Sequence, residues 1–278
     1  MTQMKLKNKR NVCLTVAIVG MIALAAYELL SLEALLFSNA DENVRYLASM
    51  AITRALGGAI FLAILINLGY RVLDPIRAPF WRSVIFCLPA FLVAVNNFPF
   101  SQLIRGGAVI DAPVWKIVLL FAECLCIGFF EETTFRGVVL LRLIERKQQS
   151  RLWVFWSIVL SSVIFGLVHL INLYNSSPIA VLMQIGYSSL IGAMCSVVLI
   201  KTANLWMCVI LHGVFNFGGA VVQYCGYGEI WDAFTVVLTA VIAVAVTVYL
   251  TVAFLRADLG IFNNIFGKKL VGNTEENK

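Results

Sequence analysis

Apolar residues in this chain come in long unbroken runs, separated by short stretches in which charged and turn-forming residues gather. The runs cover about 12–37, 46–70, 83–99, 115–141, 152–173, 179–200, 205–224 and 232–255. Most reach the length of roughly 20 residues that an α-helix needs to cross a hydrocarbon core. The pattern therefore predicts an all-α, polytopic integral membrane protein with about eight transmembrane helices and one membrane domain over 1–278. The run at 83–99 is short and ends in Asn96-Asn97-Phe98-Pro99, which also fits a broken or re-entrant helix and a count of seven. Beyond the last run, Leu259, Ile261, Phe262, Ile265, Phe266 and Leu270 alternate with Asn263, Asn264, Lys268 and Lys269. That spacing predicts an amphipathic interfacial helix over 256–272, with a frayed polar tail as the alternative.

Composition agrees with the pattern. Hydrophobic residues make up 61% and charged residues 13% of the 278, against about 25% charged in soluble domains. The net charge of +6 does not point to nucleic acid, because no basic cluster interleaved with aromatics stands on a soluble domain. Lys and Arg fall instead in alternate connections. Lys5, Lys7, Lys9 and Arg10 precede the first run; Arg71, Arg77 and Arg82, then Arg142, Arg146, Lys147 and Arg151, then Lys201, then Arg256, Lys268 and Lys269 follow on the same predicted side. Arg45, Arg105 and Lys116 fall on the other. The bias places both termini in the cytoplasm, and the short loops incline the reading to a bacterial cytoplasmic membrane. The basic N-terminus with Ala23-Leu24-Ala25 has features of a secretory signal, but its apolar run continues to Phe37 and reads as a first transmembrane helix. The seven cysteines lie mostly inside apolar runs and read as small core residues.

Candidate chemistry stands out because charge is costly in a bilayer. The stretch Phe129-Phe130-Glu131-Glu132-Thr133-Thr134-Phe135-Arg136 puts two carboxylates and a guanidinium in the fourth run, and ionisable residues at that depth are expected to be paired and functional. Residues four apart share a helical face, so Glu132 is expected to pair with Arg136. Glu131, about 100° around the helix, is left as the general base for water. The chain's 2 histidines, His169 and His212, both lie in later runs. His169 shares a face with Phe165, which would wall its pocket. His212 shares one with Asn216, so two donors could converge on an oxyanion. One tension concerns depth. At ~1.5 Å per residue, His169 lies roughly 27 Å beyond Arg151, whereas Glu131 and His212 lie roughly 16 Å deep. The fifth helix must therefore begin outside the hydrocarbon, tilt, or break. Glu28, Arg54 and Glu123 are expected to form structural pairs in the outer half.

Glu-Glu-x-x-x-Arg, then Phe-x-x-x-His, then His-x-x-x-Asn, in that order on three membrane helices, resembles the CPBP family of intramembrane proteases, also called the Abi or CaaX-protease family. The resemblance spans Glu131 to Asn216 and places the motif-bearing core at about 115–225. It implies a glutamate-dependent or metal-assisted endopeptidase in which Glu131 and His169 activate water and His212 with Asn216 binds the oxyanion. Glu132, Arg136 and Phe165 would support them. Zinc remains open: the His-Glu-x-x-His signature is missing, yet Glu131, His169 and His212 could supply three ligands with an open position or act without metal. The implied substrates are prenylated proteins processed at a CaaX terminus, or bacterial signalling or bacteriocin peptides. Two other classes fit the same residues. One is a non-catalytic binding or bacteriocin-immunity protein on this fold, in which Glu131→Gln would keep the biological activity. The other is a transporter or proton relay, although no broken-helix pair recurs in two halves.

Overall fold

The computed structural model describes residues 40–73, 80–174 and 176–267, together with Thr15, 19–23 and 26–27. The helices are α1 (Glu42–Leu68), α2 (Phe80–Asn96), the short α3 (Phe100–Arg105), α4 (Val114–Glu132, continuing as a π-helix over Thr133–Leu140 and an α-turn over Leu141–Glu145), α5 (Arg151–Val168, with a 3-10 extension His169–Tyr174), α6 (Pro178–Thr202), α7 (Leu205–Cys225), α8 (Ala233–Leu255) and α9 (Ile261–Phe266). Among the described residues, five are long and apolar enough to cross a membrane: Glu42–Leu68, Arg151–Tyr174, Pro178–Thr202, Leu205–Cys225 and Ala233–Leu255. The helix over Trp81–Asn96 is apolar but shorter. The run expected at 12–37 lies mostly outside the described residues. Those described within it are helical and lie along α1, with Ser49 Oγ donating to Tyr27 Oη at 3.3 Å.

Helix α4 is the centre of the bundle. It runs parallel to α1, with Phe129 against Gly58 and Gly137 against Leu65, and antiparallel to α7, with Gly128 against Val209 and Gly213 against Leu125. Helix α5 returns antiparallel along its second half: Trp153 Nε1 donates to Leu143 O at 2.7 Å and Ser161 Oγ to Phe135 O at 3.1 Å. The ends alternate as the charge pattern requires. Arg71, Arg142, Arg146, Lys147, Arg151, Lys201 and Arg256 collect at one end of the bundle, where Tyr70 Oη donates to Glu145 and Arg151 donates to the carbonyls of Phe254 and Ala257. At the other end Asp232 caps α8 through Thr235 N and ties it to α3 by accepting from Ser101 and Arg105.

Two features depart from the sequence pattern. A two-stranded antiparallel ribbon pairs β1 (Ala108–Ile110) with β2 (Gly226–Gly228), where three-residue strands and a Gly-Tyr-Gly segment give no alternation to read. Of the segment expected as an interfacial helix over 256–272, the structure describes 256–267. Its helix is six residues long, and Phe262, Ile265 and Phe266 are buried in the bundle rather than turned to a membrane surface. Arg71 N donates to Ile265 O at 2.8 Å and fastens that turn to the end of α1. The short α2 is followed by a break at Asn97–Pro99, and Asn97 Nδ2 donates to Phe215 O at 2.7 Å.

The α4–α7 contact is backbone against backbone. A Cβ on Gly128 would lie 2.8 Å from Val209 O, and one on Gly213 would lie 3.2 Å from Leu125 Cα. Small residues at such crossings let membrane helices approach closely. Gly128→Val should therefore force α4 and α7 apart and cost about 1–3 kcal/mol, as overpacking does. Thermal unfolding in detergent would check this; an unchanged midpoint would show that the contact is not tight.

Candidate functional site

The two carboxylates stand where α4 changes its winding. Thr133 Oγ1 donates to the carbonyls of Phe129 and Phe130 at 2.7 and 3.0 Å, and Thr134 Oγ1 donates to Phe130 O at 2.7 Å. Hydroxyls that bond back to carbonyls bend and loosen a helix, and π-segments concentrate at functional sites. The wider winding begins directly after Glu132 and carries Arg136 on its first turn.

Arg136 is buried completely, as is Glu132. The guanidinium is accommodated by three neighbours. Its Nη1 lies 3.2 Å from Glu132 Oε1, its Nε donates to Gly192 O at 3.4 Å, and its plane lies 4.4 Å over the Phe165 ring. Gly192 makes the space: a Cβ there would meet Arg136 Nη2 at 2.7 Å. Even so, Arg136 Nη1 and Nη2, Glu132 Oε2 and Ser162 Oγ have no hydrogen-bond partner among the described residues. The Arg136–Glu132 contact is thus one of opposite charges at ion-pair distance rather than a well-aligned hydrogen bond.

His212 joins the two glutamates. Its Nδ1 lies 2.7 Å from Glu132 Oε1 and its Nε2 lies 3.2 Å from Glu131 Oε2. The side chains of Glu132 and His212 are 0% and 5% exposed, but that of Glu131 is 19% exposed. This difference assigns the carboxylates distinct surroundings: Glu132 is an interior anchor between Arg136 and His212, and Glu131 is the one with access to an incoming molecule.

The remaining expected residues lie around this cluster. Phe165 is the hub, with its ring centroid 5.3 Å from that of His169, 5.8 Å from that of His212 and 4.9 Å from that of Phe135. Both histidine rings thus pack against Phe165. His169, half-buried at the end of α5, has Nδ1 3.1 Å from Phe165 O. A carbonyl only accepts, so that nitrogen carries the proton and Nε2 is left to accept. Asn216 is half-buried one turn beyond His212 on α7, and its side chain makes no hydrogen bond among the described residues. The α4–α5 register also settles the question of depth. With Trp153 beside Leu143 and Ser161 beside Phe135, His169 falls about one turn, or ~5 Å, farther along the bundle than Glu131.

Residues 113–218 match the family described as type II CAAX prenyl endopeptidase Rce1-like. The matched segment runs from the start of α4 into α7 and contains Glu131, Glu132, Arg136, Phe165, His169, His212 and Asn216. The match is consistent with the CPBP and CAAX protease family. No curated protein and no solved structure matches the chain.

Within the matched segment the structure draws together Glu131, Glu132, Arg136 and His212, and holds Phe165 against them. It does not bring His169 into an ion pair with Glu131 among the described residues, and it turns both nitrogens of His212 to carboxylates. Glu131, His169 and His212 do not form a ligand cluster within 4.8 Å among the described residues, although His212 Nε2 and Glu131 Oε2 lie close together at 3.2 Å. Thr133, Thr134, Gly128, Gly213 and Gly192 shape the site without having been read from the sequence. The signals for them were Thr-Thr directly after Glu-Glu, and a glycine directly after His212.

Removing one partner of a buried ion pair leaves the other charge uncompensated and costs about 3–5 kcal/mol. Glu132→Ala, which strands Arg136, should lower the unfolding midpoint in detergent much further than Glu131→Gln, which exchanges one hydrogen-bonding group for another. Equal shifts would mean that Glu132 is not the anchor.

Proposed function

We propose that this chain is an intramembrane endopeptidase that cleaves a peptide bond in a membrane-associated substrate, with Glu131 as general base. The observation that carries this reading is the fixed series Arg136–Glu132–His212–Glu131, which ends at the one carboxylate with access to an incoming molecule. The buried Glu132 accepts from His212 Nδ1–H and fixes the tautomer and orientation of the ring, as a carboxylate does for a catalytic histidine. Nε2 is thereby directed at Glu131, donating to its carboxylate when the ring is an imidazolium and accepting from its carboxylic acid when the ring is neutral.

Hydrolysis then divides into two proton movements. Glu131 accepts a proton from water as the water oxygen bonds to the scissile carbonyl carbon. It returns that proton to the peptide nitrogen as the carbon–nitrogen bond breaks. His169, with Nε2 free to accept, orients the water. Asn216 offers its amide N–H to the developing oxyanion. Because both nitrogens of His212 are occupied, the oxyanion contact falls to Asn216 and to groups the substrate brings. No step here requires a metal.

The Rce1-like core favours a CaaX-type carboxy-terminal peptide, prenylated and held at the bilayer, over a soluble bacteriocin or signalling peptide. The collection of Arg and Lys at the Tyr70–Glu145 end of the bundle supports a cytoplasmic location for that end, which is where a CaaX terminus would present itself.

The test is cleavage of a farnesylated CaaX peptide by protein purified in detergent, beside Glu131→Gln and His169→Ala variants that remain folded, each with and without chelator. Loss of a general base removes about 10²–10⁴-fold in rate, so Glu131→Gln should fall by at least about a hundredfold and the wild type should tolerate chelator. Undiminished cleavage by Glu131→Gln would overturn the mechanism. Survival of the cellular activity in that variant would favour the binding or immunity reading.

A further inference from the structure

Helices α6 and α7 form a tight hairpin beside the catalytic cluster. The turn is Ala203, in the left-handed region at φ 50°, followed by Asn204, whose side chain caps α7 by accepting from Met207 N. Such a short turn faces the last two turns of α6 against the first turn of α7 and brings Cys195 opposite Cys208. Both are fully buried, and Cys208 Sγ donates to Cys195 O at 3.2 Å. The Sγ atoms of Cys195 and Cys208 and a carboxylate oxygen of Glu132 lie within 4.8 Å of one another. Glu132 Oε1 is committed to His212 and Arg136, but Oε2 is buried with no hydrogen-bond partner among the described residues.

We propose that Cys195, Cys208 and Glu132 form a binding site for one thiophilic divalent cation of the zinc or cadmium kind. The donor set is suited to such an ion: two thiolates favour soft or borderline metals over magnesium or calcium. Tetrahedral coordination with metal–sulfur bonds near ~2.3 Å separates the ligand atoms by under ~4 Å. The three groups need to close by only a fraction of their present separation. Charge balance explains how a cation could enter a site beside a buried guanidinium. In the metal-free cluster one carboxylate faces one guanidinium. When the ion binds, each thiol gives up its proton to solvent, so the divalent charge is matched by two new thiolates and the net charge around Arg136 does not change. Two metal–sulfur bonds replace two sulfur–hydrogen bonds, and nothing is oxidised or reduced.

The site shares Glu132 with the catalytic cluster. Ligation through Oε2 draws charge from the carboxylate that holds His212, so an occupied site slows cleavage. That effect, though not the binding, rests on the peptidase reading above.

Cadmium is the probe, because its bonds to thiolate give an ultraviolet charge-transfer absorption. The full chain in detergent is titrated with Cd²⁺ while absorbance and released protons are followed. The expected result is a band that saturates at one ion per chain with two protons released. It should fall to about half in Cys208→Ala, in proportion to the thiolate bonds lost, and vanish in the Cys195→Ala/Cys208→Ala double variant. No band in folded wild-type protein, or an undiminished band in either variant shown by circular dichroism to be folded, would overturn the proposal. Cleavage of the farnesylated peptide is measured in parallel. A full cadmium band with no effect on cleavage leaves the binding site standing and refutes its coupling to Glu132, whereas a wild type that cleaves nothing even without cadmium counts against the peptidase reading alone.

Discussion

The burial of Arg136 is the constraint on which the rest of this structure depends. A guanidinium with no exposure in a helical membrane bundle must be matched by charge and shape, since neither water nor lipid can solvate it there. Glu132 supplies the charge, Phe165 the ring face, and the missing side chain of Gly192 the room. Each of those residues sits on a different helix or a different turn, so satisfying one arginine fixes α4, α5 and α6 relative to each other. Once Glu132 is anchored in this way, its remaining interaction with His212 sets the position of α7. The site is therefore a consequence of solving one electrostatic problem, and its rigidity comes from the same source.

The close approach of α4 and α7 makes the second half of this arrangement possible. His212 can reach both glutamates only because the helices touch at Gly128 and Gly213, within a turn of the charged groups. The π-segment that follows Glu132 contributes from the other side. Its threonines occupy the carbonyls of Phe129 and Phe130, and the altered winding sets the direction in which Arg136 leaves the helix. Adjacent glutamates thus acquire different environments within one turn, one sealed and one accessible. A site built this way holds one histidine against both carboxylates before any other molecule arrives.

Much of this was legible in the sequence because the membrane makes polar residues conspicuous. The apolar runs map onto α1, α2 and α4 to α8 to within a few residues, and the Glu132–Arg136 pair followed from a spacing of four. What could not be read depends on how helices are rotated against each other. The spacing of His212 and Asn216 puts them on one face of α7 but does not say what that face meets. It meets two carboxylates, so a residue expected to offer a donor to substrate is instead held at both nitrogens. His169 followed its motif to Phe165, yet its relation to Glu131 depends on the α4–α5 register, which the hydrogen bonds of Trp153 and Ser161 set. Of the described cysteines that read as core filling, all but the half-buried Cys126 are buried, but the two that face each other do so because a two-residue turn folds α6 onto α7.

The contact to test first is the hydrogen bond from His212 Nδ1–H to Glu132, at 2.7 Å. Because the chain contains 2 histidines, ¹⁵N-histidine labelling gives a spectrum of two imidazoles that one substitution at His169 would assign. The expected result is a slowly exchanging, strongly downfield Nδ1 proton for His212 that disappears in Glu132→Gln. A His212 ring protonated only at Nε2, or one whose signals are the same with and without the Glu132 carboxylate, would contradict it.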